Sequence, residues 1–367
     1  MKIGIVGASG FVGNRAAEVF YEQGHEIRPI VRSQASAERL TPKNLDYQIA
    51  SAFDQSQLAA AFKGCDVVIH SVLGSPGLIR GSVEPAYKAA QKAGVRRIIY
   101  LSSMIVHRSA PAVGTTEASP LVEKQQFPAH PAKIYAERKL LKLRQNGAVE
   151  VVIFRPGIVF GPRSRWVSEL ANQLCQGTAY FINEGKGVCN SVYIDNLIHG
   201  IQLGMTTPAA DGEAFFVGDR EQVTWFDFYR PFAEAFGVDP NQIPNLVVPE
   251  FTHSRKQELI GSVVNSQFVQ KFLASVPEDF KQNLKNIIPK RNKPSVTQVE
   301  ELTKTEKKPE PVVNEMMAEL QQSQYKLPFD KAERILGYQQ IVSFDEGCRL
   351  SIEWLSQLKQ FQAFLKK

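Results

Sequence analysis

The sequence predicts an α/β chain: a doubly wound parallel sheet followed by a smaller C-terminal region. Three observations carry that expectation. Short, continuously apolar, β-branched runs recur up to Arg155. Segments with helical apolar spacing separate them. A glycine-rich turn, Gly7-Ala8-Ser9-Gly10-Phe11-Val12-Gly13, joins the first run directly to the first helix. Strands that are apolar throughout, rather than alternating, belong to a sheet covered on both faces.

The elements follow in order. Lys2–Val6 is a short apolar strand, and Phe11–Tyr21 has helical spacing at Phe11, Val12, Ala16, Val19 and Phe20. Glu26–Val31 is a second strand and Asp46–Ala50 a weaker third. Asp66–Ser71 is the fourth and Arg97–Ser102 the fifth, with helices at Ser56–Phe62 and Pro85–Ala93 between them. A helix at Ala132–Arg144 leads to the strand Glu150–Arg155. Beyond Pro156 the pattern is less regular. A helix is expected at Ser164–Gln176, a strand at Ser191–Asp195, a helix at Asn196–Met205 and a strand at Ala214–Val217. Thr224–Phe236 reads as a helix because Thr224 and Asp227 have the spacing of a capping box. Lys290–Pro311 is polar, charged and punctuated by proline, so a flexible segment is expected there. Order returns with a short helix ending at Gly337 and a last helical stretch, SFDEGCRLSIEWL.

Composition excludes several classes. Of 367 residues, 43% are hydrophobic and 22% charged, which is ordinary globular usage. No apolar run approaches the roughly 18 residues that suggest a membrane span. The net charge is +6, but the segment Lys281–Pro311 alone holds eight Lys/Arg against four Asp/Glu. The rest is nearly neutral, so no nucleic-acid partner is expected. Cys65, Cys175, Cys189 and Cys348 show no ligand spacing, so no metal site and no disulfide framework are expected. The start has no signal-peptide pattern, and a reducing cytoplasm is the expected compartment.

The glycine turn is the first chemical signal. Between a strand and a helix, Gly7 permits a tight turn and Gly10 lets backbone approach a pyrophosphate. Gly13 lets the helix pack closely on the strand. Ser9, Phe11 and Val12 complete the cradle, and the helix N-terminus faces the phosphate charge. This makes the sheet Rossmann-type, with the dinucleotide half at about 1–160 and returning elements at about 188–220. The substrate-binding region is expected at 161–187 and 221–367. The second strand ends in Val31-Arg32-Ser33, with no carboxylate to hold ribose hydroxyls. Arg32 and Ser33 suit a 2′-phosphate, so NADP is expected, with NAD as the alternative. Ser71, ending the fourth strand, is a further cofactor-side candidate.

The second signal is Tyr135-Ala136-Glu137-Arg138-Lys139. Residues four apart share a helix face, and a lysine beside a phenol favours the phenolate. Such a phenol moves a proton to or from a carbinol oxygen. Ser103, at the end of the fifth strand, lies 32 residues earlier. In a doubly wound sheet, ligands sit at the carboxyl ends of the strands, so the three are expected to converge there.

These pieces resemble the extended short-chain dehydrogenase/reductases, the NAD-dependent epimerase/dehydratase family. The resemblance rests on GASGFVG, YLSSMIVH, YAERK, FRPGIVFGP and VYIDN, and on KAERILGYQQIVSFDEGCRLSIEW near the end. It covers about Met1–Trp225 and Leu327–Leu355; Val248–Tyr325 has no recognised counterpart. It implies that Ser103 binds the substrate oxygen, Tyr135 is the acid/base and Lys139 its partner. Pro156 and Ile158 would meet the nicotinamide end, and Asp195 and Asn196 would cap a turn.

Departures from the family narrow the chemistry. Met104-Ile105 follow Ser103 where dehydratases resemble one another in an Asp-Glu pair, which disfavours elimination. Ile158 stands where many epimerases carry Asn. Gly187-Val188-Cys189-Asn190 lacks the arginine that many use to hold a sugar-nucleotide diphosphate. Lys186, Arg163 and Arg165 are candidate replacements, or plain loop cations. His107 either touches substrate or fills the wall, and His70 is expected to be structural. Trp166, Phe181 and Trp225 are pocket or core residues. The expected activity is an NAD(P)-dependent oxidoreductase or epimerase on a secondary alcohol or ketone. The family suggests a sugar or nucleotide-sugar substrate. A reductase of apolar ketones, like the hydroxysteroid and dihydroflavonol reductases, is the alternative; a non-catalytic dinucleotide sensor is the third reading. A small molecule is the expected partner, and a homodimer is left open.

Overall fold

The computed structural model describes residues 1–251 and 309–365. Apart from residues 309–311, the segment expected to be flexible lies outside the described residues. Seven parallel strands form the main sheet: β1 (Lys2–Val6), β2 (Glu26–Val31), β3 (Gln48–Ile49), β4 (Val67–His70), β5 (Arg97–Leu101), β6 (Glu150–Pro156) and β9 (Ala214–Val217). Their order is β3-β2-β1-β4-β5-β6-β9. The strand order reverses between β1 and β4, the crevice where doubly wound sheets bind ligands. β7 (Ile158–Phe160) and β8 (Ser191–Tyr193) pair separately in a small parallel sheet.

The apolar runs explain the layering. Ile3, Ile5, Val67, Ile69, Ile99 and Val152 face one core, covered by α1 (Phe11–Glu22) and α7 (Ile194–Thr206). Val6, Val68, Ile98, Tyr100, Val151 and Ile153 face the other. That side is covered by α3 (Gln55–Ala61), α4 (Pro76–Ala93) and α5 (Ala129–Gln145). A short α2 (Gln34–Ala37) follows β2.

Several boundaries differ from the sequence reading. α4 starts at Pro76, not Pro85, because Ser75 caps it and proline suits the first helical position. Pro85 lies inside the helix, and burial of Val83, Ala86, Tyr87 and Ala90 offsets its missing hydrogen bond. β3 shrinks to two residues. β8 stops at Tyr193 because α7 begins there. β7 was not anticipated.

The C-terminal region packs α6 (Arg165–Gln176) against α8 (Trp225–Ala235), which has the expected capping box at Thr224 and Asp227. Helix α9 (Glu315–Gln321), inside the stretch without a recognised counterpart, accepts the Trp225 indole N–H at Leu320 O (3.0 Å). Trp225 and Phe181 are core residues, and Trp166 packs on Trp225. Then α10 (Asp330–Leu336) and α11 (Phe344–Ser356) return to the first half. Among the described residues no helix is long and apolar enough to cross a membrane.

Asp195 and Asn196 do not cap the helix that follows β8. Asp195 binds Arg15 at 2.6 and 2.9 Å, tying α7 to α1. The buried Asn196 amide donates to Asp219 and to Val342 O, and its oxygen accepts from Ile341 and Val342 N–H. Burial raises the pKa of Asp219, against the bonds from Tyr193 N–H, Asn196 and Ser191. Asn196→Ala is expected to lower stability by about 1–3 kcal/mol, since it leaves buried partners unsatisfied. Urea unfolding measures it, and a loss below about 0.5 kcal/mol would contradict the clamp.

Candidate active site

The glycine turn builds the first wall. Gly7 has φ +85°, and its carbonyl accepts from Gly10 N–H at 2.9 Å. A side chain at Gly13 would place its Cβ 2.5 Å from Gly7 O and 2.7 Å from Ser71 Oγ. That distance forces glycine. Gly10 is exposed, and a Cβ there would meet only Gly7 O. No side chain caps α1, so its first N–H groups are left for an anion. These features fit a dinucleotide pyrophosphate. Ser9, Phe11 and Val12 are half-buried around the turn. Ser71 has a structural duty beside it: its Oγ donates to Val6 O at 2.8 Å.

At the end of β2, Arg32 is exposed and Ser33 is half-buried, starting α2. Ser33 Oγ lies 3.2 Å from Ser36 Oγ, which also receives Arg39 Nη2 at 3.3 Å. Arg39, a second cation at this corner, was not anticipated. Its signal was its place one short helix beyond Arg32.

Ser103 follows β5, with its Oγ accepting from Ile105 N–H at 3.4 Å and 3.5 Å from Pro156 O. Pro156 ends β6 beside it. Gly157 admits no side chain, because a Cβ would lie 1.9 Å from Asn190 O. Ile158 is buried and its N–H is spent on Asn190 O (2.7 Å), so neither group is left for a ligand.

Tyr135 and Lys139, four residues apart on α5, both lie outside its most buried arc. The buried residues Ala132, Lys133, Ile134, Ala136, Glu137 and Leu140 span an arc of about 200° centred on Lys133. Tyr135 and Lys139 lie on the opposite arc. Tyr135 is 42% exposed under the Arg80 guanidinium of α4. Lys139 pairs with Glu84 of α4 at 2.8 Å, which raises the lysine and lowers the carboxylate pKa.

Lys133 reaches the end of β5. It is 4% exposed and donates to Leu101 O, the last residue of β5, at 2.6 Å. Its ammonium lies 5.1 Å from the Tyr100 ring centroid. Burial lowers its pKa to about 8. One turn on, Glu137 forms a buried pair with Arg155 at 2.7 Å, and Arg155 also reaches His107 Nε2 (3.1 Å) and Glu117 O (2.9 Å). His107 is thereby a wall residue, held near pKa 4 by burial and by Arg155. His70 is buried behind Tyr100, and burial followed by Lys133 lowers it to about 4.

On the substrate side, the candidate cations are engaged. Arg163 binds Glu18 (2.6 Å) and Thr41, Arg165 binds Glu169 (2.6 Å), and Lys186 pairs with Glu184. The backbone of Gln321–Ser323 covers the turn before β8. A Cβ on Gly187 would lie 1.8 Å from Gln321 O, and Val188 N–H donates to Ser323 O at 2.6 Å.

Residues 7–164 match the NAD(P)H-binding family. The 3β-hydroxysteroid dehydrogenase/Δ5→4-isomerase of Mycobacterium tuberculosis is 25% identical over 261 residues, spanning 64% of this chain and 70% of that protein. The 2-alkyl-3-oxoalkanoate reductase of Stenotrophomonas maltophilia is 25% identical over 258 residues, spanning 65% and 76%. Among solved structures, the dTDP-glucose 4,6-dehydratase DesIV of Streptomyces venezuelae, with NAD bound, superposes with a TM-score of 0.69. It covers 98% of each chain at 16% identity.

Proposed function

We propose that the chain, which carries an NAD(P)H-binding domain, is an NAD(P)-dependent enzyme of the extended short-chain dehydrogenase/reductase type that interconverts a ketone and a secondary alcohol on an apolar molecule. The observation that carries this reading is the covered turn at Gly187. Where a diphosphate-binding arginine would stand, the Gln321–Ser323 backbone leaves no room for a side chain. Without that cation, and with Arg163 held by Glu18, a nucleotide-sugar diphosphate has no built partner here. The names of the curated relatives, a hydroxysteroid dehydrogenase and an oxoalkanoate reductase, support the same substrate class.

When bound, the dinucleotide exchanges a hydride at its nicotinamide ring. The Gly7–Gly13 backbone and the α1 N-terminus would hold the pyrophosphate. Pro156 would border the nicotinamide end, and Ser103 Oγ would hold the substrate oxygen. Water is kept out on this side by Met104, Val106 and His107, all buried. The test is oxidation of NADPH or NADH with a panel of 3-oxosteroids, 2-alkyl-3-oxoalkanoates and dihydroflavonols, set beside UDP- and dTDP-sugars. Turnover of the sugar nucleotides alone would sink the apolar reading.

The preferred cofactor is NADP(H). Arg32 and Arg39, with Ser33 and Ser36 between them, form a corner suited to a 2′-phosphate. Arg32→Ala is expected to weaken NADPH binding about tenfold, the worth of roughly 1.4 kcal/mol, and NADH binding far less. Fluorescence titration with both cofactors decides it; equal losses for the two would refute the preference.

A further inference from the structure

We infer that the outer face of α4 and α5 docks on an anionic lipid surface; the choice of a lipid rests on the apolar-substrate reading above. The burial pattern of the two helices makes this face. α4 buries Ile79, Val83, Ala86, Tyr87 and Ala90. It leaves Arg80, Glu84, Lys88 and Lys92, at every fourth position, half-buried or exposed. α5 likewise leaves Tyr135, Arg138, Lys139 and Lys142. The two stripes lie side by side, because Lys139 reaches Glu84 at 2.8 Å and the Arg80 guanidinium lies 5.7 Å from the Tyr135 ring centroid. The α4 stripe runs for about 18 Å at the ordinary helical rise.

Six of these side chains are cations. Two carboxylates stand among them: Glu84, between Lys88 and Lys139, and Glu123, on Arg138. Arg80, Lys92 and Lys142 pair with no carboxylate among the described residues, and the buried Arg80 Nε has no hydrogen-bond partner there. The face therefore carries an excess of +4. Residues 1–251 and 309–365 as a whole have 30 Lys/Arg against 31 Asp/Glu. The positive charge of the described residues is thus gathered on one side, and the remainder is acidic on balance. A field of that sign recruits an anionic partner.

Charge sets the sign of the partner, and apolar side chains set its kind. β4 leads into α4 at the carboxyl edge of the sheet, where doubly wound sheets take their ligands. There Leu73 is 78% exposed, and Tyr135 is 42% exposed beside Arg80. A leucine and a tyrosine flanked by cations suit the boundary between lipid headgroups and acyl chains. An apolar ketone concentrates in a bilayer for the same reason that apolar side chains leave water. Docking through this face brings the edge of the sheet to the phase that holds such a substrate. A second copy of the chain fits the face poorly. A two-fold contact places the same patch on both partners, which here sets one cationic stripe against another.

The test is co-sedimentation of the full chain with vesicles of equal parts phosphatidylserine and phosphatidylcholine, beside vesicles of phosphatidylcholine alone. Binding is expected to the anionic vesicles only. It should fade as salt rises from about 0.1 M to about 1 M, where the Debye length falls to about 3 Å. Each lysine near an anionic surface is worth about fivefold in binding. Lys92→Gln with Lys142→Gln should therefore weaken it roughly 20-fold, and Lys92→Glu with Lys142→Glu should reduce it to the level of phosphatidylcholine alone. Thermal melts of both variants should stay close to native, since neither lysine pairs with a carboxylate among the described residues. Lys290→Glu with Lys293→Glu, outside the described residues, changes the net charge by the same amount and should leave most of the binding. No binding to the anionic vesicles would overturn the inference, and so would binding lost with Lys290 and Lys293 but kept without Lys92 and Lys142. A dimer in sedimentation velocity that Lys92→Glu with Lys142→Glu dissociates would give the face to a second copy. Tighter binding to a DNA duplex than to the vesicles would give it to nucleic acid; either result overturns the lipid assignment. The docking is measured without substrate. If the vesicles bind as expected but the panel yields no ketone that turns over, the reading of function falls and the docking surface stands.

Discussion

Arg155→Met is expected to cost about 3–5 kcal/mol of folding stability, the range for removing one partner of a buried ion pair. The loss arises from what stays behind. Glu137 is 0% exposed and takes three bonds from Arg155, at 2.7, 3.1 and 3.2 Å. With the guanidinium gone, a buried carboxylate has lost its counter-charge, and His107 and Glu117 O lose a donor. Such a loss is a large share of the 5–15 kcal/mol typical of whole domains. The double change Glu137→Leu with Arg155→Met removes both charges and should recover much of it. Urea denaturation of the two variants measures the difference. A double variant no more stable than the single one would show that the cost lies in packing, not in an orphaned charge.

Gly13→Val should nearly abolish dinucleotide binding. Its Cβ has nowhere to go, because the atom in the way at 2.5 Å is the Gly7 carbonyl, a backbone atom of the cradle itself. Either α1 moves off the strand or the turn opens, and both misdirect the N–H groups at the pyrophosphate. A loss of at least ~100-fold in affinity is expected, about 2.7 kcal/mol. A fall in thermal stability should accompany it, because overpacking strains the α1–β1 contact. Gly10→Ala is the control. Its Cβ meets only Gly7 O, at 3.2 Å, so the fold should hold while binding alone weakens. Titration of NADPH fluorescence beside a thermal melt separates the cases. Near-native affinity in Gly13→Val would mean that the ligand does not lie on this turn.

The sheet was legible in the sequence because buried parallel strands are written as unbroken runs such as Val67–Ile69 and Ile98–Tyr100. The glycine turn was legible because its geometry is local. What was not legible was any feature that depends on contact at a distance. The burial of Lys133 was readable: a wheel drawn from Ala132 to Leu140 sets it between Ala136 and Glu137, at the centre of the buried arc. The Gly187 turn could not be read at all. Its cover comes from Gln321–Ser323, more than 130 residues later, and no local rule reaches that far. Proline misplaced the start of α4 because position 85 reads as a helix opening, whereas Ser75 and Pro76 supply a better one.

The floor beneath Ser103 joins three distant stretches of chain. Gly157 lies against Asn190, Asn190 holds Tyr325 O and Leu327 N–H, and Lys326 donates to the carbonyls of Asp219 and Glu221. On a ribosome these pieces emerge in order, at roughly 5–20 residues per second. The glycine turn is made first, and the strands through β6 follow it. The floor must wait until residue 327 is free of the exit tunnel. The nascent chain therefore completes the Gly7–Gly13 turn long before the contacts beneath Ser103 can close, and a ligand that bound the turn early would stabilise the half that is already folded.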